Sequence, residues 1–144
     1  MGRTTQREGE HDPMAKLVHS MVRVGDEARS LDFYRRAFGL TVADRIDFPD
    51  FTLIYLRGQG SDFELELTVN KGRDKPYELG DGYGHIAVTV DDVAAEHARF
   101  KAEGLTATDL KELKHGDTPL ARFFFATDPD GYKIEVIQRG GRFL

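Results

Sequence analysis

Histidine and glutamate occur together twice in this chain. Glu66 follows His19 by 47 positions, and Glu135 follows His85 by 50. The flanks match as well: His19-Ser-Met-Val22-Arg-Val24 reads like His85-Ile-Ala-Val88-Thr-Val90. Fifteen positions after each His comes an aromatic, Tyr34 or Phe100, and the segments close on Gly39-Leu40 and Gly104-Leu105. A repeated unit bears on fold. A repeated His and Glu inside it bears on a site, because two imidazoles and two carboxylates can surround one divalent metal ion.

The elements that must carry these residues follow from periodicity. Leu17–Val24 alternates as a strand, with Val18, Val22 and Val24 on one side and His19, Met21 and Arg23 on the other. Asp26 can cap a helix to about Phe38, with Ala28, Leu31, Tyr34 or Arg35, and Phe38 on its buried side and Gly39 at its end. Strands are expected near 40–47, 51–57 and 62–69, the last after a turn at Gly58, Gly60 and Ser61. Residues 70–82, with Gly72, Pro76, Gly80 and Gly82, read as a linker. The pattern then restarts. His85–Val90 forms a strand, Asp91 or Asp92 caps a helix to about Glu103, and strands follow near 105–109, 120–126 and 132–138. Asp128-Pro-Asp-Gly131 is the turn before the last of them.

The expected fold class is therefore α+β, two tandem βαβββ modules of about 16–70 and 83–138 within one domain, 16–144. Residues 1–15 read as a flexible N-terminal tail. Met14 stands just before the first strand and offers an alternative start for translation. One helix covers one face of each four-stranded sheet, which leaves the other face as a cup or an interface.

Alternation sorts the side chains on that open face. Leu65, Leu67 and Val69 form an apolar row, opposed by Glu64, Glu66, Thr68 and Asn70. Tyr132, Ile134 and Val136 form another, opposed by Lys133 and Glu135. His19, Glu66, His85 and Glu135 thus all oppose the helix-facing rows. Arg23 shares the face of His19, four residues on, and Asn70 stands in the same relation to Glu66. Glu64 alone reads as a solvated strand residue. His11 in the tail reads as solvent-exposed, His97 on the second helix, four residues after Val93, reads as a packing or surface residue, and His115 in a loop receives no role.

Composition narrows the function classes. A formal charge of −5 over 144 residues argues against nucleic acid as the main partner. Cysteine is absent, so disulfides, thiolate ligands and thiol nucleophiles are excluded, and any sulfur chemistry must come with the substrate. No apolar run reaches the ~18 residues of a membrane span. The start lacks a signal-peptide pattern, so a cytoplasmic location is expected.

Together, His19-Ser-Met-Val-Arg-Val-Gly-Asp, Leu31-Asp-Phe-Tyr, Glu66-Leu-Thr-Val-Asn70, Tyr83-Gly-His-Ile-Ala and Asp128-Pro-Asp-Gly-Tyr-Lys-Ile-Glu135 resemble the glyoxalase I (lactoylglutathione lyase) family of the vicinal oxygen chelate superfamily. The resemblance runs from about Leu17 to Gln138. It implies that His19, Glu66, His85 and Glu135 are metal ligands and that Arg23 and Asn70 hold the glutathione part of the substrate. It implies a homodimer in which each site takes its halves from different subunits. The family's loop lysine would correspond to Lys114, in a segment, Lys111–Leu120, slightly longer than the family's. Ser20 departs from the usual Thr, Ile or Val. The short form of the chain implies Ni²⁺ or Co²⁺, with Zn²⁺ and Mn²⁺ as alternatives.

The implied substrate is the hemithioacetal of methylglyoxal and glutathione, isomerised to S-lactoylglutathione. Its C–H bond is not acidic in water, so a Lewis acid near the two oxygens and a carboxylate base are both required. Glu135 is the expected base, with Glu66 opposite it. The same scaffold also supports extradiol dioxygenases, epimerases, thiol transferases acting on antibiotics, and non-catalytic drug-binding proteins. Four intact ligands, with Arg23 and Asn70 in phase, favour the glyoxalase.

Overall fold

The computed structural model describes residues 14–144. Most of the N-terminal tail, including His11, lies outside the described residues. The first unit runs β1 (His19–Arg23), α1 (Glu27–Phe38), β2 (Thr41–Asp47), β3 (Phe51–Arg57) and β4 (Glu64–Asn70). The second runs β5 (Ile86–Val90), α2 (Val93–Ala102), β6 (Lys111–His115), β7 (Thr118–Thr127) and β8 (Lys133–Gln138). Each unit forms its own four-stranded sheet, in the orders β1-β4-β3-β2 and β5-β8-β7-β6. The first strand of each pairs parallel to the last, and the other pairings are antiparallel. This is the tandem βαβββ architecture.

Local chemistry sets the helix ends. The Asp26 carboxylate accepts from the Arg29 N–H at 2.9 Å, satisfying an orphan donor of the first turn. Gly39 ends α1 at φ 68°, a left-handed conformation that only Gly reaches cheaply. In the second unit Asp92 is the cap and accepts from Ala95 N–H. Asp91 instead pairs with Arg139.

Two expectations from periodicity are corrected. The buried stripe of α1 is Ser30, Phe33, Tyr34 and Ala37, with Leu31 and Phe38 half-buried against the core; of the expected residues Tyr34, Leu31 and Phe38 stand, whereas Ala28 and Arg35 are exposed. The helix is rotated because it packs against the second unit as well as its own sheet. Ser30 lies against Asp130 there, their oxygens 3.4 Å apart. Second, the segment near 105–109 is not a regular strand; it contributes a single bridge, Ala107 to Ala126. The second strand of that unit is instead β6, paired with a lengthened β7. The stretch 111–120 is thus most of a hairpin. Gly116 and Asp117 make its two-residue turn, with Gly116 at φ 62°.

The helix-facing rows of both sheets belong to one core. Val22, Ile54, Leu67, Phe100, Phe124, Ile134 and Val136 are all in it, none more than 4% exposed. Each such side chain stabilises the fold by roughly 1.5–3 kcal/mol. Polar joints tie the units across this core. The Tyr34 hydroxyl donates to Asp128, and Gly25 N–H donates to Asp130. Arg99 on α2 donates to the carbonyls of Arg36 and Ala37, capping the C-terminus of α1. Arg36 returns the contact to the Glu103 carbonyl. A shared core on the helix side turns the open faces of the two sheets outward. No helix among the described residues is long and apolar enough to cross a membrane.

Candidate active site

Each open face carries one His and one Glu in contact. His19 Nε2 lies 2.9 Å from Glu66 Oε2, and His85 Nε2 lies 3.3 Å from Glu135 Oε1. The strand registers explain why the two pairs match. Met21 stands opposite Glu66 across β1 and β4, and Ala87 stands opposite Glu135 across β5 and β8. In both units the His is two residues earlier, His19 as the first residue of the edge strand β1 and His85 immediately before β5, which begins at Ile86 rather than at His85. The His side chains are 40% and 42% exposed, but the carboxylates only 11% and 18%. Each pair is a half-shielded acid beside an accessible imidazole.

An aromatic side chain backs each pair, a feature the motif reading passed over. Tyr55 on β3 is opposite Glu66, and its ring meets His19 edge-on at 5.9 Å. Phe125 on β7 is opposite Glu135, and its ring meets His85 at 5.2 Å. The signal was present in the duplication, since Tyr55 precedes Glu66 by eleven positions and Phe125 precedes Glu135 by ten. These rings fix the imidazoles and shield one side of the carboxylates. Burial, and then the negative charge of Glu66, raises the Tyr55 hydroxyl above the ordinary phenol range, so it stays a neutral donor. A shallow concavity of about 430 Å³ lies beside this pair, between Asp44, Tyr55, Arg57 and Glu64. Glu64 is ion-paired with Arg57 at 2.9 Å rather than simply solvated.

The substrate-binding candidates divide. Arg23 is exposed and shares the face of His19; its carbonyl accepts from the Tyr132 hydroxyl of the second unit. Asn70 is the last residue of β4, opposite Phe51, and its Oδ1 accepts from the Tyr77 hydroxyl at 2.9 Å. Lys114 stands further out, past an irregularity in the hairpin, 3.5 Å from Glu112. The lysine opposite Phe123, and so on the face of Phe125 and Glu135, is Lys111. His97 packs on Phe124 and bonds the Thr108 carbonyl, and His115 ends β6.

The donor sets fit a metal ion two at a time. Adjacent donors around an ion at ~2.1 Å are separated by about 3 Å, close to both observed His–Glu distances. Among the described residues, no three His, Asp or Glu side chains gather into one such cluster. One chain therefore presents two separate His–Glu pairs, one on each sheet.

Residues 16–136 match the model of the Glyoxalase/Bleomycin resistance protein/Dioxygenase superfamily. The chain is 43% identical over 130 residues to lactoylglutathione lyase of Neisseria meningitidis, covering 86% of this chain and 91% of that one. It is 41% identical over 129 residues to lactoylglutathione lyase of Escherichia coli O157:H7, covering 85% and 92%. Among solved structures, glyoxalase I from Zea mays superposes with a TM-score of 0.76 at 36% identity, covering 88% of this chain. This chain spans just under half of that molecule, 45%. The trypanothione-dependent glyoxalase I of Leishmania major superposes at 0.70, with 33% identity and 87% of each chain covered.

Proposed function

The chain belongs to the Glyoxalase/Bleomycin resistance protein/Dioxygenase superfamily, and on that premise we propose that it is a lactoylglutathione lyase. It isomerises the hemithioacetal of methylglyoxal and glutathione to S-lactoylglutathione, removing methylglyoxal. The observation that carries this reading is the matched pair of His–Glu contacts, 2.9 and 3.3 Å, one on the open face of each sheet.

His19, Glu66, His85 and Glu135 would hold one divalent ion. Two imidazoles and two carboxylates would suit Ni²⁺ or Co²⁺, ahead of Zn²⁺ or Mn²⁺. When bound, the ion supplies a Lewis acid to the two substrate oxygens. Because the two His–Glu pairs of one chain do not gather into one cluster among the described residues, a complete set needs two chains, the first unit of one facing the second unit of its partner. A homodimer in the cytoplasm is the corresponding assembly.

The chain's own residues account for the proton's path. The carboxylate of Glu135 takes the proton from C1 and returns it to C2, while the hydroxyl proton on the C1 oxygen passes to the C2 oxygen, so the sulfur-bearing carbon ends as a thioester and its neighbour as a secondary alcohol. Glu66 faces the same carbons from the other half-site. The rings of Tyr55 and Phe125 hold His19 and His85 and keep water from that side of the carboxylates. Arg23, Asn70 and Lys111 bind the polar ends of the thiol, with Lys114 further along the hairpin.

The test is direct. The protein is stripped with a chelator and assayed with methylglyoxal and glutathione by ultraviolet absorbance of the thioester. Ni²⁺, Co²⁺, Zn²⁺ and Mn²⁺ are added separately. Activity should return with Ni²⁺ or Co²⁺. No turnover with any of the four overturns the reading.

A further inference from the structure

We infer that Tyr77, in the segment joining the two units, is a positioning residue that orients the Asn70 amide so that its N–H groups face the thiol part of the substrate. This inference rests on the proposed role of Asn70 in holding that thiol.

The backbone of Asn70 is already fixed. It lies in register with Phe51, and the next residue donates its N–H to the Asp50 carbonyl at 2.9 Å. The Lys71 ammonium also donates to the Phe48 carbonyl and pairs with Asp47. What remains free is the rotation of the Asn70 side chain. An Asn amide carries one acceptor oxygen and a two-donor nitrogen. The two ends are nearly equal in shape and opposite in what they recognise, so an unheld amide presents either. The Tyr77 phenol donates to Oδ1 at 2.9 Å and thereby commits that oxygen. The nitrogen is then the end left for a ligand.

Tyr77 is itself held. The Arg73 guanidinium lies over its ring, 4.0 Å from the centroid, and donates to the Lys75 and Pro76 carbonyls at 3.0 Å. This stack and the two bonds stiffen a segment that composition alone marks as a linker. A donor at Asn70, in phase with the guanidinium of Arg23, selects an acceptor-rich end group. A carboxylate of the thiol meets that need; an ammonium or a hydrocarbon does not.

Substitution in the metal-loaded enzyme tests the inference. Tyr77→Phe keeps the ring and its Arg73 stack but removes the hydroxyl. It should raise KM for the hemithioacetal and Kd for S-methylglutathione about three- to tenfold, the range for one neutral hydrogen bond. The kcat should change by less than about twofold, since no proton-transfer group is touched. In an Asn70→Ala background the same Tyr77→Phe change should cost nothing further. Asn70→Asp, which can still accept from Tyr77 but has no donor, should bind S-methylglutathione as poorly as Asn70→Ala. Equal losses from Tyr77→Phe with and without Asn70 overturn the inference, as does a fall in kcat at constant KM. Wild-type affinity in Asn70→Asp also overturns it. An inactive wild-type enzyme would instead remove the functional reading beneath it.

Discussion

The phenol of Tyr34, on the first helix, donates a 2.6 Å hydrogen bond to the buried carboxylate of Asp128, in the last turn of the second unit. The two residues are 94 positions apart. Asp128 also accepts the backbone N–H groups of Asp130 and Tyr132, so this one carboxylate closes its own turn and joins the units. Tyr34→Phe should therefore lower stability by about 1–3 kcal/mol, the cost of a lost bond to a buried acceptor. Urea denaturation of both proteins measures it. A difference near zero would mean that the joint contributes nothing.

The same carboxylate makes stability depend on pH. Burial raises the Asp128 carboxyl above the ordinary range, against the lowering effect of its Tyr34 and backbone donors. A raised folded-state pKa stabilises most at acid pH, below the unfolded value of ~3.9, and that contribution disappears as pH rises through the folded value. The stability of wild type relative to Asp128→Asn should thus fall as pH climbs from about 4 towards neutrality. Denaturation curves at several pH values decide this. A relative stability that rises with pH contradicts the sign.

Glu135→Gln preserves shape and removes the proposed base. Turnover should drop by about 10²–10⁴-fold, the usual worth of a positioned acid–base group. Metal should still bind, more weakly, through the remaining donors, as measured by calorimetry with Ni²⁺. Near wild-type activity would move the base to Glu66 or elsewhere.

Divided half-sites predict complementation. One chain carries His19→Ala with Glu66→Gln, and the other carries His85→Ala with Glu135→Gln. Each alone should be inactive. Mixed, dissociated and reassociated, they should recover activity, because a heterodimer pairs the intact second unit of one chain with the intact first unit of the other. Such a dimer has one working site, so about a quarter of wild-type activity per chain is expected from random pairing. No recovery in confirmed heterodimers would mean that each chain builds its own site.

Much of the fold was legible because it rests on short-range rules. Strand alternation put His19 with Arg23 and Glu66 with Asn70 on common faces, and the structure keeps both relations. The caps at Asp26 and Gly39 and the Gly131 turn are likewise decided within a few residues. Misreadings fell where a distant partner decides. Near 105–115 the apolar alternation lies in Leu105-Thr-Ala-Thr108, whereas Lys111–His115 has Leu113 as its one apolar residue, and only pairing with β7 makes the latter the strand. The stripe of α1 could not be phased without the second unit, whose Asp130 lies against Ser30.

By itself, the sequence determined that there are two copies of one unit, that each carries a His and a Glu on its open face, and that donors accompany them. These are matters of residue identity and a period of two. Tertiary structure decided how the copies meet. A shared core, crossed by Tyr34–Asp128 and by the Arg99 cap, joins them through their helix sides and leaves the two His–Glu pairs on separate sheets. It also gave Asn70 a partner in Tyr77 and gave the imidazoles their aromatic walls. Those contacts depend on side-chain packing between segments far apart in the chain, which local periodicity does not encode.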